Sequence, residues 1–154
     1  MELNVKSLRI GNWLQGNIGY CMGSYFDGSG AGHIHGFVQV NGITETGINP
    51  YFFNGAYVKE MRDMHSLSVL EPIQLTEYIL LKCGFKKDNE KKQYYLDFEN
   101  QWNKFKLTWI EKMYFKTIDQ DENLDKQGLN HIKNLHQLQN LYYELTSKEL
   151  EIKL

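Results

Sequence analysis

Cysteine is nearly absent from this 154-residue chain, with Cys21 and Cys83 the only two. Two is too few for a disulfide scaffold at this length, and Cys83 lies in an apolar helical run as a small buried residue would. Long apolar runs are missing as well. None approaches the roughly 18 residues needed to span a bilayer, and Met1-Glu2-Leu3-Asn4-Val5-Lys6 has no apolar centre of the kind a secretory leader carries. No membrane partner is expected, and a reducing, cytoplasmic setting is. Charge of one sign is also lacking. The net charge is −2 and the pI about 6.2. Duplex DNA binding requires a basic footprint, so no duplex DNA partner is expected.

Catalytic signatures are wanting too. There is no Gly-x-Ser-x-Gly elbow, no P-loop and no dinucleotide fingerprint set in a βαβ unit. Asp27, Asp97 and Glu99 are carboxylates without an evident acid–base partner. His33-Ile34-His35 would put two imidazoles on one face of a strand. Cys21, His65 or an acid would have to complete a zinc site there, and none lies at a telling spacing. His131 and His136 are five apart, off the i,i+4 register that serves one metal. His136 flanks an apolar stripe and is expected to hydrogen-bond a neighbouring strand. No catalytic residue, metal or cofactor is assigned, and the chain is expected to be non-enzymatic.

Aromatics, in contrast, are plentiful: ten Tyr, eight Phe and three Trp, 14% of the chain. They favour strands, and they also suit flat ligands and interface anchors. Eight of the thirteen glycines fall between Gly11 and Gly36, together with Tyr20, Tyr25 and Phe26. This stretch reads as a loop or a distorted hairpin. Gly28-Ser29-Gly30-Ala31-Gly32 has the composition of a backbone nest for an anion, or of a flexible hairpin tip. From Lys82 to Lys116 there are nine Lys against five acids. That segment reads as a solvated strand face with a charged turn at 86–92, or as a surface for a phosphate-bearing ligand.

The patterning predicts an α+β single domain over residues 1–154. Leu8–Leu14 reads as a short strand broken by Gly11-Asn12. Asn41-Gly42 and Asn54-Gly55 are hairpin turn signals, and Pro50 suits the start of a strand. An antiparallel meander or small barrel follows from these. Thr76 is an N-cap and Gly84 a left-handed C′ residue for a short helix ending in Phe85. Strands are expected at 93–99, 105–110 and 113–118. Tyr94, Leu96 and Phe98 alternate there with Tyr95, Asp97 and Glu99, and Phe105, Leu107 and Trp109 alternate with Lys104, Lys106 and Thr108. After an acidic turn at 119–125, a longer amphipathic helix is expected from 126 or 130 to 145. Its apolar stripe is Ile132, Leu135, Leu138, Leu141, Tyr142 and Leu145. Glu149–Leu154 alternates strictly and reads as a final strand.

Three segments carry a resemblance. They are Leu8-Arg9-Ile10-Gly11-Asn12-Trp13, then Pro72-Ile73-Gln74-Leu75-Thr76-Glu77 with Leu80-Leu81-Lys82-Cys83-Gly84-Phe85, and finally Ile132-Lys133-Asn134-Leu135-His136-Gln137-Leu138-Gln139-Asn140-Leu141-Tyr142 with Leu145-Thr146. Together they resemble an uncharacterised family of small proteins from Bacteroidetes and their phages and prophages. The resemblance transfers no active site. It implies a phage-type accessory protein in the host cytoplasm, with counter-defence one role such proteins fill.

Three function classes remain open. The first is a non-catalytic accessory protein that sequesters a small, phosphate-bearing, nucleotide-like ligand. Its candidate ligand-binding residues are Tyr20, Tyr25, Phe26, Gly28, Gly30, Lys104, Lys106 and Trp109, because aromatics stack bases while Lys and backbone N–H groups hold phosphates. The second is an interaction module for a host or phage protein. The third is a small metal-dependent hydrolase built on His33 and His35. The sequence leaves homo-oligomerisation open.

Overall fold

The computed structural model describes residues 3–21, 31–44, 47–54, 57–60, 65–66, 70–99, 104–110, 114–118 and 132–153. It has an α+β architecture. Contacts divide the chain into two compact units, Met1–Ile73 and Gln74–Leu154, and each is described by itself.

The first unit enters its sheet through a turn, where the sequence suggested a strand. Gly11 has φ +91°, a conformation that glycine adopts without steric cost. Its N–H donates to the Val40 carbonyl at 2.7 Å. Asn12 is fully buried, and its Oδ1 accepts from the Arg9 N–H at 2.7 Å. These two residues fold Leu8–Asn12 back so that Leu8 reaches the core.

Strands β1 (Trp13–Cys21), β2 (Ala31–Ile43), β3 (Gly47–Asn54), β4 (Tyr57–Glu60), β5 (His65–Ser66) and β6 (Leu70–Pro72) form one sheet. Its order is β4-β3-β2-β1-β6, with β5 also on β3. The glycine-rich stretch is a hairpin and not a loop along most of its length. Gly16 pairs with Gly36, and Tyr20 with Gly32. Residues 22–30, which include Tyr25, Phe26, Gly28 and Gly30, lie outside the described residues.

Asn41-Gly42 is a correction. It lies within β2, where the register against β3 shifts between Val40 and Gly42. One extra residue there makes a bulge, and the strand continues to Ile43. Pro50 is likewise inside β3 and not at its start. It sits opposite Val40, between the stretch of β3 that pairs with β5 and the stretch that pairs with β4. A missing N–H costs little where the outer partner changes. Leu8, Leu14, Val38, Val40, Ile48 and Leu70 form the core of this unit.

The second unit begins with α1 (Glu77–Lys82). The Thr76 hydroxyl accepts from the Ile79 N–H at 3.3 Å, satisfying an otherwise orphaned donor. At the other end Gly84 has φ +84°. Its N–H donates to Leu81 O, and the Phe85 N–H donates to Leu80 O, both at 3.1 Å. This is the paired bonding that closes a helix through a left-handed residue, and it buries Phe85 beside Leu80 and Cys83.

A four-stranded antiparallel meander follows: β7 (Lys86–Asp88), β8 (Gln93–Glu99), β9 (Lys104–Ile110) and β10 (Tyr114–Ile118). Strand β7 occupies part of what the sequence suggested was a charged turn. The turn itself is shorter. Asp88 Oδ1 accepts from the N–H groups of Glu90 and Lys91 at 3.1 and 3.0 Å, and Lys92 takes φ +51°. Neither sheet closes into a barrel among the described residues.

Helix α2 spans Leu135–Thr146. It starts later than the periodicity suggested, because Asn134 is extended and bridges to Gln74. Gln137 Oε1 reaches back to the N–H of Asn134 at 3.1 Å and of Lys133 at 2.9 Å, the return half of a capping box. Leu135 and Leu138 are fully buried, so this part of the stripe is core. Tyr142 meets Phe98 of β8 with ring centroids 5.6 Å apart.

The expected final strand does not form. Residues 149–153 are in no ladder, although Leu150 is buried between exposed Glu149 and Glu151. The Lys153 N–H donates to Lys82 O at 3.1 Å. The acidic stretch 119–125 lies outside the described residues.

Two substitutions test this packing. A Cβ at Gly84 would lie 3.8 Å from Leu96 Cδ1, an ordinary contact. Gly84→Ala should therefore cost only the conformational penalty, about 1 kcal/mol in urea unfolding. Leu138→Ala should cost about 2–5 kcal/mol. Unchanged stability together with lost self-association would instead make the stripe an interface.

Candidate functional site

The meander has two unlike faces, and the cross-strand register defines both. Directly opposed residues in an antiparallel pair share a face. Leu96 opposes Leu107 and Tyr94 opposes Trp109. On the other face Tyr95 opposes Thr108, Asp97 opposes Lys106 and Glu99 opposes Lys104. Lys86 of β7 opposes Tyr95 from the outer side, and position 116 continues the row beyond Thr108.

The polar face has a defined centre. Lys106 Nζ lies 4.9 Å from the Tyr95 ring centroid, and Lys86 Nζ lies 6.0 Å from it. Cations at this range are attracted by the ring quadrupole. Asp97 sits between the lysines, with Oδ1 3.7 Å from Lys106 Nζ and Oδ2 3.9 Å from Lys86 Nζ. The side chains of Lys86, Lys106 and Asp97 are 69%, 47% and 52% exposed. Pairs this long and this exposed contribute little stability, so the ammonium groups retain donors for another anion. Beneath them Thr108 is fully buried, and its Oγ1 has no hydrogen-bond partner among the described residues.

The opposite face holds a second charged contact. Lys87 Nζ donates to Glu77 Oε1 at 2.9 Å and lies 5.5 Å from the Tyr94 ring. Tyr94 in turn meets the Trp109 ring at 5.5 Å. The Lys87 hydrogen bond lowers the Glu77 carboxyl, and the Glu77 hydrogen bond raises the Lys87 ammonium. Burial raises the Tyr94 phenol first, followed by its bond to Glu77. This contact ties β7 to the start of α1 and presents no activated base.

The candidate residues therefore separate. Lys104 and Lys106 share the polar face, whereas Trp109 lies with Tyr94 on the other. Tyr20 is a position in β1 opposite Gly32, and Tyr25, Phe26, Gly28 and Gly30 are outside the described residues. Tyr95, Asp97 and Lys86 were missed as candidates. Alternation already put Tyr95 and Asp97 on the lysine face. Lys86 had no such signal, because its place beside Tyr95 depends on where the 89–92 turn falls.

His33 and His35 stand opposite Gly19 and Asn17 in the β1–β2 ladder, and Cys21 opposes Ala31. Cys21 and His35 are thus four ladder positions apart, about 13 Å along the strands. One zinc ion with bonds of about 2.0–2.3 Å does not bridge that span. Among the described residues no three His, Cys, Asp or Glu side chains are grouped to hold a metal. Burial pushes the Cys83 thiol up to about 12, which removes it as a nucleophile near neutrality. Nor is any helix among them long and apolar enough to cross a membrane.

Comparison with known proteins gives no similar family, curated protein or solved structure.

His136 was expected to hydrogen-bond a strand. It is buried instead, its Nδ1 has no hydrogen-bond partner among the described residues, and burial lowers its pKa from 6.5 to about 4. The neutral ring is thus favoured in the folded state. Its contribution to stability is complete above pH 6.5 and is lost as pH falls from 6.5 towards 4. The loss is on the order of 3 kcal/mol. Urea unfolding of His136→Gln at pH 7 and pH 4.5 should show less acid sensitivity than the parent chain, and equal sensitivity would refute this account.

Proposed function

We propose that the chain is a non-catalytic binding protein that captures a phosphate-bearing, nucleotide-like ligand on the polar face of the β7–β10 sheet. One observation carries this reading: the Tyr95 ring has Lys106 and Lys86 ammonium groups at 4.9 and 6.0 Å. These ammonium groups lie over the ring, so a base stacks there as they swing aside, and the displaced ammonium groups take the phosphate. Asp97 is a resident counter-ion that the phosphate displaces. The sequence resemblance supports a phage-type accessory role, in which sequestering a nucleotide signal serves counter-defence.

Binding of ADP, followed by calorimetry and thermal shift, tests the proposal. Tyr95→Ala, Lys86→Ala and Lys106→Ala should each weaken binding by roughly tenfold. Lys86→Ala and Lys106→Ala should leave the melting temperature nearly unchanged, because they remove only weak surface contacts, whereas Tyr95→Ala removes a half-buried ring and should lower it. Asp97→Asn should tighten binding by removing the competing carboxylate. If millimolar ADP neither shifts the melting temperature nor produces heat, the proposal falls.

A second reading rests on α1. Tyr78 and Leu81 are 59% and 48% exposed, and at i,i+3 they share one side of the helix. An apolar pair of this kind suits a protein partner. Tyr78→Ser with Leu81→Ser should then abolish partner capture without loss of fold.

A further inference from the structure

We infer that the polar face of the β7–β10 sheet receives a single strand of nucleic acid rather than a free mononucleotide. The inference rests on the nucleotide reading of Tyr95 and goes further because of how the cations are spread. Lys86 stands in the row of Tyr95 and Thr108, Lys106 in the row of Asp97, and Lys104 in the row of Glu99. From the first row to the last is four residues, about 13 Å along the strands, and from β7 to β9 is about 10 Å across them. One phosphate cannot meet both Lys86 and Lys104. Successive phosphates of one strand can, each taking the lysine it passes.

Exposure points the same way. Small-ligand sites enclose most of their ligand's surface. Here Lys86, Asp97 and Lys106 are about half exposed or more, and Lys104 and Glu99 are exposed. A sheet face with exposed lysines around a half-buried aromatic ring suits an extended strand whose unpaired base stacks on that ring. The opposite face is packed, with Phe98 against Tyr142 of α2, so the platform is backed by core. By register Lys86, Lys104, Lys106 and position 116 share the face with Asp88, Asp97 and Glu99, and the whole chain carries a net charge of −2. That balance is too weak for the dense charge of a duplex, in which the bases are in any case already stacked. The Asp97 carboxylate between Lys86 and Lys106 keeps the site occupied until a phosphate replaces it.

The test is fluorescence anisotropy with a labelled ten-nucleotide oligothymidylate and the full chain, alongside ADP titrations and a duplex of the same length. The oligonucleotide should bind at least about tenfold more tightly than ADP, and the duplex more weakly than the single strand. Affinity should fall with salt at a slope reporting about two released phosphate contacts. Tyr95→Ala should weaken both ligands. Lys104→Ala is the decisive variant: it should weaken the oligonucleotide and leave ADP unchanged. If ADP binds and the oligonucleotide binds no tighter, or if Lys104→Ala affects both equally, the strand inference is overturned while the nucleotide site stands. If neither ligand binds, both fall.

Discussion

The alignment of β8 against β9 is the constraint on which the candidate site depends. Seven successive pairs, from Gln93↔Ile110 to Glu99↔Lys104, hold it. A slip of one residue would turn Tyr95 and Asp97 inward and Leu96 and Phe98 out to water. The apolar side forbids that slip. Leu107 is fully buried and Phe98 and Tyr94 nearly so, and exposing three such side chains would cost several kcal/mol. The polar face is thus held in place by the burial of the opposite one. The exposed lysines and carboxylates contribute little to the fold.

That division also explains the polar groups inside the second unit. Thr108, His136 and Gln139 are all buried. Thr108 occupies the row of Tyr95 on the polar face yet is fully buried, where an unmet hydroxyl costs stability. His136 sits near the start of α2, where burial holds it neutral. Neither has the geometry of a catalytic pair. The Glu77–Lys87–Tyr94 contact is an attachment between elements, with each charge already satisfied by the other.

Three distinctive sequence segments are accounted for by architecture. Gly11 and Asn12 make the turn that lets Leu8 reach the core. Leu80-Leu81-Lys82-Cys83-Gly84-Phe85 is a helix end closed by a left-handed glycine. Gln137 caps α2, and Leu138 and Gln139 are buried in it. Turns and caps demand specific residues at these positions, so these motifs carry information about the fold.

Taken alone, the sequence determined what local geometry controls. The Thr76 cap, the Gly84 termination, β8 and most of α2 were legible, because caps and the 2.0 and 3.6 residue periods act within a few residues. The opposition of Lys106 to Trp109 across the sheet was legible in the same alternation. Asn41-Gly42 misled, because a dipeptide suited to a turn also suits a bulge once a long partner strand is present. The alternation at 149–154 suggested a strand that residues 149–153 do not form, since alternation does not supply a neighbour. Only tertiary structure decided which strand opposes which. The length of the 89–92 turn sets the β7–β8 register and brings Lys86 to Tyr95. No local propensity encodes that meeting, because it depends on two segments, each held in register by the core they share.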